Sequence, residues 1–481
     1  MFISVFLWPS SYLMLWSICL GLVLSVGGKS WEVDMHYEAL GSTWDGMSCS
    51  LISFHYWLMA VVLISGWGYG LKAHKLGRHF WCCLWGLTVS VQMALSANFF
   101  LCFFVFFEAS LLPVGVMILL WGSQPERTKA FEYMVVYSLC SGGPFFVGVE
   151  YVGMLSPSWF HGVKESVQWS HWLVGGMLLG GLAKLPMFGF HIWLPKAHVE
   201  ASLEGSLVLA GILLKLGGVQ VYRVLVELKG GFSSVLVGFV LLGVWGGVYT
   251  SLMCFRQPDV KSVIAYSSVG HMSVVLSSLL VGDLSSLGVS LSMMIGHGFV
   301  SCGMFSLAGV SAEASGSRSL YVLKGLGCVY PVMSLFWFVG CGLNMGLPPT
   351  LGFSSEIGVL GQLWGYGFSS LLGVLSGVFL SAAYNFFIYS ETQHGLHYSG
   401  SSFLVRLSVR DMLGFSLCLL PGAMAFFFLP FFFSVLYGSG MATGSVGKPK
   451  SPPSWGGWEM GGSYKEGWEE LSEWSLARFE G

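Results

Sequence analysis

Apolar residues run in long blocks along nearly the whole chain, separated by short polar stretches. The blocks fall near 2–27, 49–70, 79–96, 98–121, 131–153, 171–200, 203–226, 232–254, 259–281, 284–311, 322–366, 368–391 and 411–437. A helix needs about 20 mainly apolar residues to cross a bilayer. The pattern therefore predicts an all-α polytopic membrane protein with about thirteen transmembrane helices. Two blocks, 171–200 and 322–366, are broken by proline, which removes a backbone donor. Both are predicted to be discontinuous.

The polar stretches give an orientation, because basic residues favour the cytoplasmic or matrix side. Alternate loops carry Lys72, Lys75 and Arg78; Arg127 and Lys129; Lys196; Arg256 and Lys261; Arg318 and Lys324; Arg406 and Arg410. The opposite loops hold Lys29, Lys164 and Lys229, with Arg223 at a helix end, and the acids Glu32, Asp34, Glu38 and Asp45. The first set is expected on the matrix or cytoplasmic face. Met1 to Gly27 is long enough to span and lacks the basic start of a cleavable signal. Past Tyr437 the chain turns Gly-, Ser- and Pro-rich, which reads as a linker. Its last dozen residues suit either a short amphipathic surface helix or a disordered tail.

Composition narrows the class. Mean hydropathy is +0.71 and only 10% of residues are charged, against about 25% in soluble proteins. A net charge of -2 provides no basic field for nucleic acid, which removes that partner class. The 11 cysteines lie mostly inside apolar blocks, and the adjacent pair Cys82-Cys83 lacks redox or chelating spacing. Abundant Gly, Trp, Phe, Val and Cys beside scarce Asn, Thr and Ile resemble the mutational bias of organelle genomes.

Against that background the ionisable residues inside the blocks stand out. Lys184 precedes Pro186 within AKLPMFGFHIWLP, and Lys215 lies deep in Leu207 to Val221 (LVLAGILLKLGGVQV). A charge at mid-bilayer costs roughly 2.5–3.5 kcal/mol on insertion scales, so such residues face protein or water and usually mark an ion or proton path. Glu108 sits among aromatic neighbours in Leu101 to Leu112 (LCFFVFFEASLL). A carboxyl buried alone holds its proton, and one opposite a lysine ionises, so a buried Glu–Lys pair works as a switch. His191, His198, His271 and His297 lie within or beside the blocks. Histidine suits a relay near neutrality, although a lone membrane histidine serves equally well as hydrogen-bonded packing. His271 and His297 follow Ser- and Gly-rich stretches able to admit water.

There is also an internal echo. Leu185-Pro186-Met187-Phe188-Gly189-Phe190 recurs with one insertion as Leu347-Pro348-Pro349-Thr350-Leu351-Gly352-Phe353. Each copy sits in a broken block near an ionisable residue, Lys184 in one and Glu356 in the other. Matching interruptions in two halves point to a transport site built from inverted repeats. No phosphate-cradling glycine loop and no iron–sulfur or zinc spacing occurs, so redox chemistry is expected on other subunits.

At these residues the chain resembles a known family. Lys184 to Gly218 (KLPMFGFHIWLPKAHVEASLEGSLVLAGILLKLGG), Phe106 to Pro113 (FFEASLLP), Trp121 to Arg127 (WGSQPER), Arg256 to Met272 (RQPDVKSVIAYSSVGHM) and Leu347 to Thr350 (LPPT) are similar to the chain 4 family of mitochondrial NADH–ubiquinone oxidoreductase, respiratory complex I. The resemblance covers roughly residues 50–435 in order. It implies an antiporter-like fold of two inverted five-helix repeats and proton translocation coupled to quinone reduction elsewhere. By the resemblance, Glu108 is the glutamate that pairs with Lys184, Lys215 is the central lysine, His271 and His297 are polar positions of the axis, and Glu356 is its terminal ionisable group. It further implies no cofactor in this chain, with flavin, iron–sulfur clusters and ubiquinone on other subunits. Other complex I membrane-arm subunits and the lipid of the inner mitochondrial membrane would be its partners.

The expected organisation is an N-terminal span and acidic loop over 1–48, a peripheral helix over 49–78, repeats over 79–226 and 232–391, a last span over 411–437 and a hydrophilic extension over 438–481. Three features depart from the family. Thirteen spans replace the usual fourteen, the extension has no counterpart, and Ser202-Leu203 stands where a proline is customary. The alternative reading is a multi-subunit cation/proton antiporter, which shares the broken helices and buried Lys and Glu.

Overall fold

Helix is the only way a lone apolar segment can satisfy its backbone groups away from water, and helices make up nearly all of the described residues. The computed structural model describes residues 46–72, 76–122, 124–155, 170–228, 233–282, 284–396 and 407–424, all within one unit. In order these are α1 (Gly46–Lys72), α2 (Leu76–Ser96), α3 (Phe100–Ala109), α4 (Leu111–Trp121), α5 (Arg127–Leu155), α6 (His171–Lys184), α7 (Trp193–Glu200) and α8 (Leu203–Val208). A π turn, Leu209–Leu213, leads into α9 (Leu214–Leu228). Then come α10 (Ser233–Cys254), α11 (Val260–Val281), α12 (Leu284–Ser315), the short α13 (Leu326–Val329), α14 (Pro331–Asn344), α15 (Leu351–Leu363), α16 (Phe368–Gln393) and α17 (Val409–Met424).

Eight stretches among the described residues are long and apolar enough to cross a bilayer. The other expected spans differ from these for separate reasons. The span at 2–27 and its acidic loop lie outside the described residues, as do Lys29, Lys75, Lys164, Lys229, Arg406 and the segment 425–481. The last span is described only to Met424. α2 has the length but carries Arg78, His79 and Gln92. The remaining two are the broken spans. In the second of them the apolar run begins at 322, yet membrane-type helix begins only at Pro331. Lys324 instead reaches Glu391 at the far end of α16, 2.9 Å away, and proline at the first helical position sets the new start.

Burial separates the helices into a centre and a rim. Over the apolar 18-residue centres of the spans Leu203–Leu228 and Ser285–Ser315, 94% of positions are buried, whereas only 33% are in that of Phe368–Gln393. α12, about 48 Å long at 1.5 Å per residue, packs against α8, α11, α14, α15 and α17. The rim helices turn large apolar side chains outward, among them Val136 and Val147 on α5 and Phe379 and Phe386 on α16, which suits contact with lipid. Arg223, expected at a loop-facing helix end, is buried instead. It donates to the Ala94 and Leu95 carbonyls that close α2, so it secures a helix terminus and carries no weight in the orientation argument.

The two helix breaks close alike. α6 ends with Leu185 N donating to Gly181 O at 2.7 Å and Met187 N to Leu182 O at 3.1 Å. α14 ends with Met345 N donating to Cys341 O at 3.0 Å and Leu347 N to Gly342 O at 3.1 Å. Lys184 and Asn344 thus end their half-helices at the same place, a register shifted by two residues from that of the repeated Leu-Pro motif. Gly346, with φ +73, supplies the left-handed turn at the second break.

Candidate functional site

The first ionisable group lies where one helix is irregular. Pro113 cannot donate to the Ala109 carbonyl, and the span from Phe100 to Trp121 is interrupted at Ser110, two residues after Glu108. Lys184, 6% exposed, ends α6 opposite this point, with Nζ 3.2 Å from Glu108 Oε1. That contact is an ion pair, and Lys184 Nζ also donates to the Phe107 carbonyl at 3.2 Å. Its ammonium also sits 3.1 Å from the centre of the Phe107 ring. Glu108, 22% exposed, opens on its other side to a groove of about 240 Å³ lined by Phe104, Ser138, Leu139, Gly142, Gly143 and Phe146.

Lys215 is fully enclosed in the adjacent span. Its Nζ donates to the Ala210 carbonyl at 2.5 Å, within the π turn of its own helix. π turns leave carbonyls out of the regular ladder and recur at functional sites. The same Nζ lies 3.2 Å from His297 Nδ1 on α12. The end of α6 and the start of α9 meet through backbone: a Cβ on Gly217 would lie 2.7 Å from Leu185 N and 3.1 Å from the Lys184 carbonyl carbon. Only glycine permits that approach.

From His297 the row continues to His271 on α11, with ring centroids 5.6 Å apart. His271 Nδ1 is 3.9 Å from Glu356 Oε1 on α15, too long for a direct hydrogen bond. A cavity of about 20 Å³ lies at this point, lined by His271, His297, Asn344, Thr350 and Glu356 among others. Its size and polar lining suit one bridging water.

All six predicted site residues therefore fall into two contacting groups, Glu108–Lys184 and Lys215–His297–His271–Glu356. The other two histidines singled out in the sequence, His191 and His198, stand apart. His191 is stacked on Phe188 and its Nδ1 accepts from Gly189 N at 3.3 Å, which stabilises the first break. His198 lies flat on Phe305, with centroids 4.3 Å apart, and neither ring nitrogen has a hydrogen-bond partner among the described residues. Sequence reasoning passed over Asn344, Asn385 and Tyr384. The Asn344 amide donates to Asn385 Oδ1 at 2.9 Å, and the Tyr384 hydroxyl lies 3.3 Å from His271 Nε2. The available signal was a pair of amides within apolar runs of a chain poor in asparagine.

Comparison with known proteins agrees with this architecture. Residues 97–382 match the family described as NADH:quinone oxidoreductase/Mrp antiporter, transmembrane. NADH-ubiquinone oxidoreductase chain 4 of Ceratitis capitata is 37% identical over 362 residues, covering 74% of this chain and 80% of that one. The chain 4 protein of Squalus acanthias is 32% identical over 415 residues, covering 81% and 88%. Among solved structures, a chain of respiratory complex I from Thermus thermophilus with bound NADH superposes with a TM-score of 0.76 at 22% identity, covering 89% of this chain and 93% of that one. A chain of the Mrp complex from Dietzia sp. gives 0.79 at 15% identity, covering 91% and 94%. These two structural matches establish a shared antiporter-like fold. The sequence relatives establish the narrower kinship: the chain belongs to the NADH-ubiquinone oxidoreductase chain 4 family.

Proposed function

We propose that this chain is a membrane-arm subunit of respiratory complex I that moves protons across the inner mitochondrial membrane, driven by NADH oxidation and ubiquinone reduction on other subunits. The flavin, iron–sulfur clusters and quinone site belong to those partners, and this chain supplies the proton path. The observation that carries the reading is the Lys215–His297 contact, 3.2 Å between two basic groups sealed inside the bundle. Lys215 Nζ and His297 Nδ1 form a hydrogen bond between two bases, with one proton between them. They suit a shared proton that passes from one to the other.

Glu108, Lys184, Lys215, His297, His271 and Glu356 form the path. While Glu108 faces Lys184, the ammonium keeps its counter-charge. Separating them strips that counter-charge away, and a buried ammonium without one sheds its proton toward Lys215. Reception at His297 and His271 hands the charge on to Glu356. The segments 79–226 and 232–391 act as two repeats, each with one broken helix. Lys215→Ala in the assembled complex tests the proposal. The expected result is a lower proton-to-electron ratio and slower turnover; wild-type values for both would overturn it.

The fold shared with the Mrp complex favours one other reading, a subunit of a cation/proton antiporter. Copurification with a flavin- and iron–sulfur-containing assembly favours the first reading, and sodium-dependent growth rescue by the chain alone favours the second.

A further inference from the structure

The meeting of His271, His297 and Glu356 is echoed two turns along the same three helices, toward the end of α11 away from Lys261. Ser278 lies seven residues past His271 on α11, Ser290 seven before His297 on α12, and Gln362 six past Glu356 on α15. A step of seven keeps the face of a helix, so the two layers stack about 10 Å apart at 1.5 Å per residue. The second layer is joined by hydrogen bonds. Ser278 Oγ donates to Gln362 Oε1 at 2.7 Å or to the Ser286 carbonyl at 3.2 Å. Ser290 Oγ donates to the same carbonyl at 2.6 Å or to Ser278 Oγ at 3.0 Å. Each hydroxyl has one hydrogen for two acceptors, so the pair can reset its hydrogens without moving a heavy atom. Ser278 and Ser290 are fully buried, whereas Gln362 is half-buried, two residues before Trp364, which is 74% exposed. A tryptophan exposed at the end of a spanning helix sits at the membrane–water boundary. Between the layers, Val275 and Met293 hold the same faces of α11 and α12, and Val359 follows Glu356 by one turn; all three are buried. Met293 also lines the cavity beside Glu356.

We propose that Ser278, Ser290 and Gln362 form the outlet of the proton path, joining Glu356 to the face opposite Lys261 and Arg318. Val275, Met293 and Val359 form the apolar collar that closes it. A collar of this kind conducts only when water enters it. That water takes the proton from the Glu356 carboxyl and hands it to a serine hydroxyl. The hydroxyl accepts it and gives up its own toward Gln362 and the bulk, so one proton enters the layer and one leaves. Gln362 ends the layer because it alone of the three is half-buried. Neither hydroxyl nor amide holds a charge at neutral pH, so the proton waits on Glu356 and the collar decides its release. The assignment rests on the proton-path reading, and the two fail separately.

The test uses the assembled complex in vesicles with its NADH-oxidising arm outward, so that the lumen is the outlet side. Ser278→Ala combined with Ser290→Ala removes both hydroxyls at little cost in volume. The expected result is a lower proton-to-electron ratio, with normal assembly and normal NADH oxidation in the presence of an uncoupler. Gln362→Glu places a titrating group at the outlet. Its ratio should change with lumen pH at constant outside pH, over a range in which the wild-type ratio holds steady. A wild-type ratio in the double variant overturns the proposal. So does a Gln362→Glu complex indifferent to lumen pH, or one that responds only to outside pH. Should the double variant fail to assemble, the lumen-pH response of Gln362→Glu decides alone. A wild-type ratio in Lys215→Ala would instead sink the proton path, whereas lost pumping there beside an unaffected double variant sinks the outlet alone.

Discussion

Asn344 stands in the second helix break where Lys184 stands in the first. Both residues end a half-helix through the same pair of backbone bonds, one step and three steps past the last helical residue. Their side chains differ in chemistry. Lys184 meets a carboxylate on α3, and Asn344 meets an amide, Asn385, on α16. One break thus holds a charged pair, and the other holds a neutral clamp.

The clamp predicts a stability effect. Asn344→Leu leaves Asn385 Oδ1 buried without its donor, a loss of about 1–3 kcal/mol. Faster amide hydrogen exchange in α14 and α16 of the assembled complex is the expected signature.

Glu108→Gln keeps the size of the side chain and removes the counter-charge at 3.2 Å. Lys184 retains the Phe107 carbonyl and ring, so assembly is expected to persist. A loss of only about 1.4 kcal/mol of pairing would slow transfer through Lys184 about tenfold. Proton pumping measured against NADH oxidation in reconstituted vesicles checks this.

Gly217→Ala drives a methyl into backbone that has no room to yield, 2.7 Å from Leu185 N. Overpacking of this kind costs about 1–3 kcal/mol and here prises α9 from the end of α6. The expected outcome is less assembled complex on a native gel. Gly377→Ala, whose new methyl meets nothing within 4 Å, should assemble as wild type.

Lys324 lies outside the spanning helices, and Glu391 beside it raises its pKa above the usual 10.5. A raised folded value means that the pair contributes fully below 10.5 and loses its effect only as pH climbs through the folded value. Both partners are well exposed, where such pairs contribute little. Lys324→Ala should leave the melting temperature unchanged between pH 6 and 8, within the error of calorimetry.

The buried ionisable groups were readable in the sequence because burying charge in lipid is costly, so Lys184, Lys215, Glu108 and Glu356 stand out inside apolar runs without any knowledge of their neighbours. The neutral partners were not readable. Tyr384 lies in a run (SAAYNFFIY) that reads as ordinary lipid-facing helix, and nothing local says that one side of it turns inward. The repeated Leu-Pro motif pointed to both breaks, but its register paired the wrong residues. Hydrogen-bond closure depends on where each helix ends, and Gly346 at the second break does that work in place of Pro186.

What the sequence determined by itself is the helical membrane architecture, the two interruptions and which ionisable residues lie inside apolar runs. Those follow from local rules: the length of an apolar run, the missing donor of proline and the price of an intramembrane charge. The tertiary structure decided who meets whom. Lys215 and His297 are 82 residues apart in sequence, and Tyr384 and His271 are 113 apart. Such contacts exist only once α9, α11, α12 and α16 are packed at a set depth and rotation. That geometry is fixed by close approaches such as Gly217 against Leu185, whose effect no single helix can express alone.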